Sequence, residues 1–481
     1  MKPDPKKASL QITKGRKRRD KASKTQHQIN TQTHLNAGGI DIGATEIVAA
    51  VPPDRHADPV RTFTSFTSGL RELCAWLKEC GVTTVAMEST GNYWVNCYDM
   101  LEQAGIRVFL VNAKHVKGVP GKKTDVCDAQ WLQQLHAAGL LTGSFRPKQE
   151  VLQLRYLIRH RDGMVAESSR LMLRIQKVLT EMNLKLQHVF SDIDGKSARD
   201  IIRAILDGQR DPESLAALRD RRCKASKEDV VAALDGDYRP EYLFVLRDLQ
   251  EQLDEMHKRM SRIDEEVARQ VSLIGKAAQA SRTAPEETDD GAAEGGKVKA
   301  KRLGKNAVVM NYKTESEHFF GVDLTQIVGV NSGVIIALMS EIGTRENLLE
   351  SFKSADGFCA WLAVCPNNRI SGGRVLNCRT RKSNNRIAAA LRLAAYGLNN
   401  AKCQMGQYCR RMKGRLGKAE GITATAHKLA RIIYAMIRNG RAYDEKEAFK
   451  SNPGVERKRQ KNLKILAKQM GFELVPITQA A

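Results

Sequence analysis

Three things are scarce in this chain of 481 residues, and each scarcity closes off a class of protein. No run of about 18 apolar residues exists, and the first 25 residues lack the apolar core of a secretory signal, which excludes membrane spanning and export and predicts a cytoplasmic protein. No Cys-x-x-Cys pair occurs among the ten cysteines, so neither a zinc knuckle nor a disulfide framework is supported, and reduced structural thiols are expected. Acid is short as well: 54 Asp and Glu stand against 78 Lys and Arg, a net charge of +24. A small-molecule enzyme has no need of such an excess, and a polyanionic partner, nucleic acid first, is the implied counterpart.

What is present divides along the chain. Residues 1–34 are polar and hold ten Lys or Arg before Thr25, which predicts a basic arm that touches phosphates without reading sequence. Short apolar, β-rich runs separated by helical ones then follow over 35–150. Their order, β-β-β-α-β-α-β-α, predicts an α/β domain with a mixed sheet. From 151 to 275 the strand signal vanishes. Leu246, Leu249, Leu253, Met256, Met260, Ile263 and Val267 alternate spacings of three and four, a coiled-coil seam that fits either an oligomerisation arm or a helix pair within one chain. Residues 276–315 include an Ala, Gly, Glu and Asp-rich stretch unable to bury a core and read as a flexible insertion. A mainly helical domain is expected over 316–445, with one apolar face at 422–437, and a basic tail over 446–481.

The chemistry is carried by acids. Asp41 lies in Gly39-Ile-Asp-Ile-Gly43, a strand on which an unpaired carboxylate among apolar neighbours is costly and a metal ion relieves the cost. Glu88 ends the run Val85-Ala-Met-Glu88. Asp125 and Asp128 are spaced i, i+3 at a helix start and project from one face. Four hard oxygen donors suit Mg²⁺, with Mn²⁺ as the alternative, and two such ions about 4 Å apart clamp both oxygens of a phosphodiester exchange. Taken singly, Asp125 also reads as a helix N-cap and Asp41 as a strand-end hydrogen-bonding residue.

The segments Gly39-Ile-Asp-Ile-Gly43, Met87-Glu88-Ser-Thr-Gly91-Asn-Tyr-Trp94 and Lys123-Thr-Asp-Val-Cys-Asp-Ala129 resemble the N-terminal blocks of the DEDD transposases of bacterial insertion sequences. Their domain is similar to the RuvC Holliday-junction resolvase, of RNase H-like fold. The resemblance places the family's four metal-binding acids on Asp41, Glu88, Asp125 and Asp128 and sets Lys123 against nucleic acid.

A second group of motifs lies further on. Leu324-Thr-Gln-Ile-Val-Gly329-Val-Asn-Ser-Gly333 looks like a helix-hairpin-helix whose turn, at Gly329 and Gly333, aims N–H groups at phosphate, although Asn331 stands where Gly is more usual. Cys365-Pro-Asn-Asn-Arg-Ile-Ser371-Gly372-Gly373-Arg374 is followed by Arg379, Arg381, Lys382 and Arg386. Glycines that allow close approach and arginines that offset developing charge make Ser371 a nucleophile candidate, while Ser-Gly-Gly taken alone is more often an ordinary turn. This block is similar to the C-terminal transposase domain of the same family, in which the serine before the paired glycines is the recombinase nucleophile.

The resemblance implies a recombinase that acts on donor and target DNA under a structured guide, or bridge, RNA, assembled as a dimer or tetramer. A metal-dependent RuvC-like nuclease or Holliday-junction resolvase without serine chemistry is the alternative. Gly39-Ile-Asp-Ile-Gly-Ala-Thr45 also looks like the first phosphate motif of sugar and acetate kinases, but no second Asp-x-Gly-x-Thr follows. A non-catalytic architectural protein has no use for four acids beside a phosphate backbone. His427 and Tyr434 sit at helical periodicity and are expected in a core, as are Tyr93 and Trp94 ahead of base stacking.

Overall fold

The computed structural model of the protein describes residues 33–89, 91–112, 125–282, 304–449 and 453–473. Residues 1–32 of the basic arm, Lys123, and 283–303 of the insertion lie outside them. Two compact units divide the chain, Met1–Arg146 and Pro147–Ala481.

The first unit holds a five-stranded sheet of β1 (Ala37–Ile42), β2 (Glu46–Ala50), β3 (Val60–Thr64), β4 (Thr84–Glu88) and β5 (Arg107–Val111) in the order β3-β2-β1-β4-β5. β1–β2 and β2–β3 pair antiparallel, whereas β1–β4 and β4–β5 pair parallel. Helices α1 (Thr67–Glu79), α2 (Trp94–Gln103) and α3 (Asp125–Ala137) follow β3, β4 and β5. This is the RNase H-like arrangement, with the element order expected from the sequence.

Alternation along the strands assigns the faces. Ile40, Ile42, Ile47, Val85 and Met87 join Leu70, Leu73 and Leu77 of α1 and Cys97 and Leu101 of α2 in one core. On the opposite face, Ala86 packs with Leu132 and Leu135 of α3, and Val48 and Ala50 pack with Ala129.

Gly39 brings α3 onto that second face. A Cβ at this position would stand 2.3 Å from both the Ala129 carbonyl oxygen and the Gln133 amide nitrogen, neither of which is a side chain that can swing away. Gly39→Val is therefore expected to push α3 off the sheet, with a loss of roughly 2–3 kcal/mol or more in denaturant unfolding. A midpoint within error of the wild type would refute the contact.

The second unit is built on two long helices, α4 (Gln149–Glu181) and α5 (Pro240–Ala280). They run antiparallel: Leu171, Ile175 and Leu179 share a core with Leu246, Leu249 and Leu253, while Arg161, nearer the start of α4, pairs with Asp264, further along α5. The seam over 246–267 thus packs within the chain. Its middle residues Met256, Met260 and Ile263 are only half-buried, flanking the point where the Arg161–Asp264 pair crosses. α5 continues through Ala280, five residues into the expected insertion.

The middle and C-terminal regions, expected as separate domains, belong to one unit. Arg155 and Arg159 of α4 grip Glu341, which is 7% exposed; Arg159 donates to both of its oxygens at 3.1 and 2.9 Å. Glu341 ends α7 (Ser332–Glu341), which follows α6 (Tyr312–Phe320). The hairpin of β6 (Arg369–Ser371) and β7 (Arg374–Asn377) comes next, then α8 (Arg386–Gly397), α9 (Gln404–Leu416) and α10 (Lys418–Asn439). The basic tail carries a helix, α11 (Pro453–Gln469). Among the described residues no helix is long and apolar enough to cross a membrane.

Candidate functional site

Strand register sets two of the acids side by side. β1 and β4 are parallel, with Ile40 opposite Met87. Asp41 and Glu88 each follow that pair by one residue, so they stand side by side at the carboxyl ends of adjacent strands, on the face that carries Gly39 and Ala86. α3 covers the same face and runs antiparallel to β1: Gln133 donates to the Ala37 carbonyl at 3.2 Å, and Ala129 lies against Gly39. Four helical residues advance about 6 Å and two strand residues about 6.6 Å, so one more step brings Asp125 to the level of Asp41. Asp128, half-buried, lies in the same first turn.

The backbone thus brings two strand ends, at Asp41 and Glu88, and the helix start that carries Asp125 and Asp128 toward one edge of the sheet. The donor set of these acids is all hard oxygen, which fits a divalent cation of the Mg²⁺ class. Among the described residues no three carboxylate, imidazole or thiol groups stand close enough together to hold an ion, and the Asp125 side chain lies outside those described.

The far end of α3 is anchored by His136, 1% exposed, whose Nε2 lies 2.9 Å from the Thr84 hydroxyl and whose ring packs 4.6 Å from that of Phe109. Burial, aided by His34 and Arg107, lowers its pKa to about 4. The unfolded chain takes up this proton near pH 6.5 but the native chain only near 4, so stability falls as pH drops through that interval. The expected loss is on the order of 3 kcal/mol at pH 4, before other groups titrate. Urea unfolding followed by tryptophan fluorescence checks it, since Trp76, Trp94 and Trp131 all lie in the first unit and only Trp361 in the second. A midpoint flat between pH 7 and 4.5 would count against it.

Glu88 is followed by a turn in which Gly91 has φ +55° and its carbonyl accepts from Trp94 Nε1 at 3.1 Å. Trp94 packs half-buried on the core beneath Arg146, whereas Tyr93, expected in the core, is 56% exposed. The turn directs Tyr93 outward as Trp94 begins α2.

In the second unit, Gly372 and Gly373 have φ +53° and +74°, positive at both central positions of a two-residue hairpin turn. That is the type I′ geometry, which this glycine pair satisfies. A Cβ on either would meet nothing within 4 Å, so the turn conformation, not a crowded neighbour, explains both. Ser371 pairs directly with Arg374 across the hairpin, placing hydroxyl and guanidinium on one face. Both are exposed, as are Arg379 and Lys382. Arg381 donates to the Ala360 carbonyl, and Arg386 is paired with Asp162 of α4 and lies 3.9 Å from Glu341. Those two arginines thus tie the base of the hairpin segment to the rest of the unit.

Gly329 has φ +98°, and a Cβ there would meet the Leu398 side chain at 2.9 Å. Asn331 caps α7, accepting from the Val334 amide at 3.1 Å, which explains an asparagine where glycine is more usual, and Gly333 sits in the first turn behind it. Tyr434 is buried and donates to the Phe352 carbonyl at 2.6 Å, a core residue as expected. The packing role of Gly39 was unassigned in the sequence, although a glycine inside a strand is itself a signal of close backbone approach.

The sheet order and the helices that follow its strands define an RNase H-like domain. Residues 38–184 match the family model of the IS110 DEDD transposase, described as a transposase, and residues 323–410 match that of the transposase IS116/IS110/IS902 family. The chain belongs to this family of DNA transposases, enzymes that cleave and transfer DNA strands. Membership implies DNA as partner and the use of a divalent metal ion. No curated protein matches the chain.

Proposed function

We propose that this transposase exchanges strands between donor and target DNA under a structured guide RNA, with Asp41, Glu88, Asp125 and Asp128 as metal ligands and Ser371 as nucleophile. The observation that supports it most is the placement of Asp41 and Glu88 at matched positions on parallel strand ends, with the start of α3 brought to the same edge. Mg²⁺, or Mn²⁺ in its place, would offset phosphate charge and lower the pKa of an attacking hydroxyl there. Ser371 Oγ attacks phosphorus, the bond to one sugar oxygen breaks, and that oxygen leaves with a proton while phosphoserine forms. A sugar hydroxyl of the second DNA then attacks, gives up its proton and releases the serine. Arg374, the cross-strand neighbour of Ser371, is suited to bear on the phosphate oxygens during both steps. Lys123, Gly329, Gly333, Gly372, Gly373, Arg379, Arg381, Lys382 and Arg386 are the further residues proposed to line the nucleic-acid path.

Joining acids and serine calls for an assembly of two or four copies, in which the sites are completed across protomers. An excess of 24 positive charges suits an assembly that holds RNA as well as two DNAs. The test combines the purified protein with both DNAs and RNA transcribed from the non-coding flank of the element. Recombinant joints are expected with the RNA and are expected to vanish after ribonuclease treatment. Undiminished joints without RNA would remove the guide from the reading, and metal-dependent cleavage alone would favour the resolvase-like alternative.

A further inference from the structure

The reacting face is only one side of the β6–β7 hairpin. Ile370 pairs with Val375, one step from Ser371–Arg374, and strand alternation sends this apolar pair to the opposite face. Ile370 is 62% exposed, Val375 60% and Leu376 68%. A register slip next to Ile370 leaves Leu376 as the extra residue of β7, between Val375 and Asn377. A two-stranded ribbon is marginal in water by itself, and apolar side chains grouped at its surface mark a contact surface.

Charge identifies the occupant. Residues 369–386 contain six Lys or Arg and no Asp or Glu, so what covers the ribbon is a polyanion. A two-stranded ribbon can enter a DNA groove, and apolar side chains pushed between base steps, as minor-groove binders use them, unstack and kink a duplex. We propose that Ile370, Val375 and Leu376 form a wedge that unstacks DNA beside the phosphodiester presented to Ser371 and Arg374. Unstacking frees the backbone to bend, so that a phosphate held in a regular duplex reaches a hydroxyl one residue away on the same strand. This rests on the recombinase reading above and adds to it a residue set that deforms the substrate.

The test uses the full chain with its RNA and a duplex of the element's own junction DNA, in which 2-aminopurine replaces successive bases. Wild-type protein is expected to raise fluorescence at one or two adjacent steps. Ile370→Ser/Val375→Ser, a change at exposed positions, should cut that rise at least threefold while leaving the salt dependence of binding as it was. Ser371→Ala should keep the full rise and form no protein–DNA adduct. An undiminished rise in the double variant overturns the wedge whatever Ser371→Ala does, whereas an adduct persisting in Ser371→Ala overturns the nucleophile and leaves the wedge standing. A double variant that loses oligomeric mass in light scattering with its fluorescence rise intact would assign the face to a second copy. A rise confined to probes placed in the RNA would overturn the assignment to DNA.

Discussion

Asp41→Asn is expected to reduce strand exchange by on the order of 10³-fold or more while the protein still folds and binds DNA, the signature of a lost metal ligand. The amide keeps the size of the carboxylate but not its charge. Because the residue stands one position beyond the last register pair of β1 and β4, Ile40 and Met87, and on the face opposite the Ile40 and Ile42 core, the change leaves that core untouched. Glu88→Gln should behave alike. Asp125→Asn separates the two readings of that residue: asparagine caps a helix about as well as aspartate, so a residue that only caps would retain both stability and activity. Loss of exchange at an unchanged melting temperature identifies a ligand. EDTA should abolish exchange by the wild type, with return on adding Mg²⁺. Wild-type rates in EDTA, or in Asp41→Asn, would refute the metal reading outright.

The element order was legible because strands and helix starts leave local marks. Gly39-Ile-Asp-Ile-Gly43 reads as a strand by alternation alone, and Asp125 and Asp128 share a helical face by spacing alone. The approach of the strand ends and the helix start to one edge was not local. It depends on which strands pair, in what register, and on a backbone approach at Gly39 that joins residues 90 positions apart. The seam of α5 had two partners open to it, since heptad spacing specifies an apolar stripe without saying what covers it; here α4 does so within the chain. Arg386 illustrates the same limit, because nothing in its own segment announces that Asp162, 224 positions earlier, pairs with it. Ser371 and Arg374, by contrast, are three positions apart, and once the glycines form a type I′ turn their pairing follows from local geometry.

Ser371→Ala is expected to eliminate any covalent protein–DNA adduct and to lower exchange below detection, with no measurable change in stability. The hydroxyl is exposed at the end of β6, so its removal opens no cavity and orphans no buried partner. A serine hydroxyl is a weak nucleophile until its proton is removed and the phosphate charge is offset. Arg374 stands across the hairpin to do the second; its own replacement, Arg374→Ala, should slow adduct formation rather than abolish it. No carboxylate or histidine lies within the hairpin to do the first, and no side chain of residues 369–378 is acidic or imidazole. If the acids of the first unit supply that activation in the assembled complex, then Asp41→Asn must also fail to form the adduct, although its serine is intact. Mixing Asp41→Asn with Ser371→Ala decides how the site is built. Sites completed across protomers regain part of the wild-type exchange in mixed assemblies, because some pair an intact acid cluster with an intact serine, whereas sites contained in one protomer regain none.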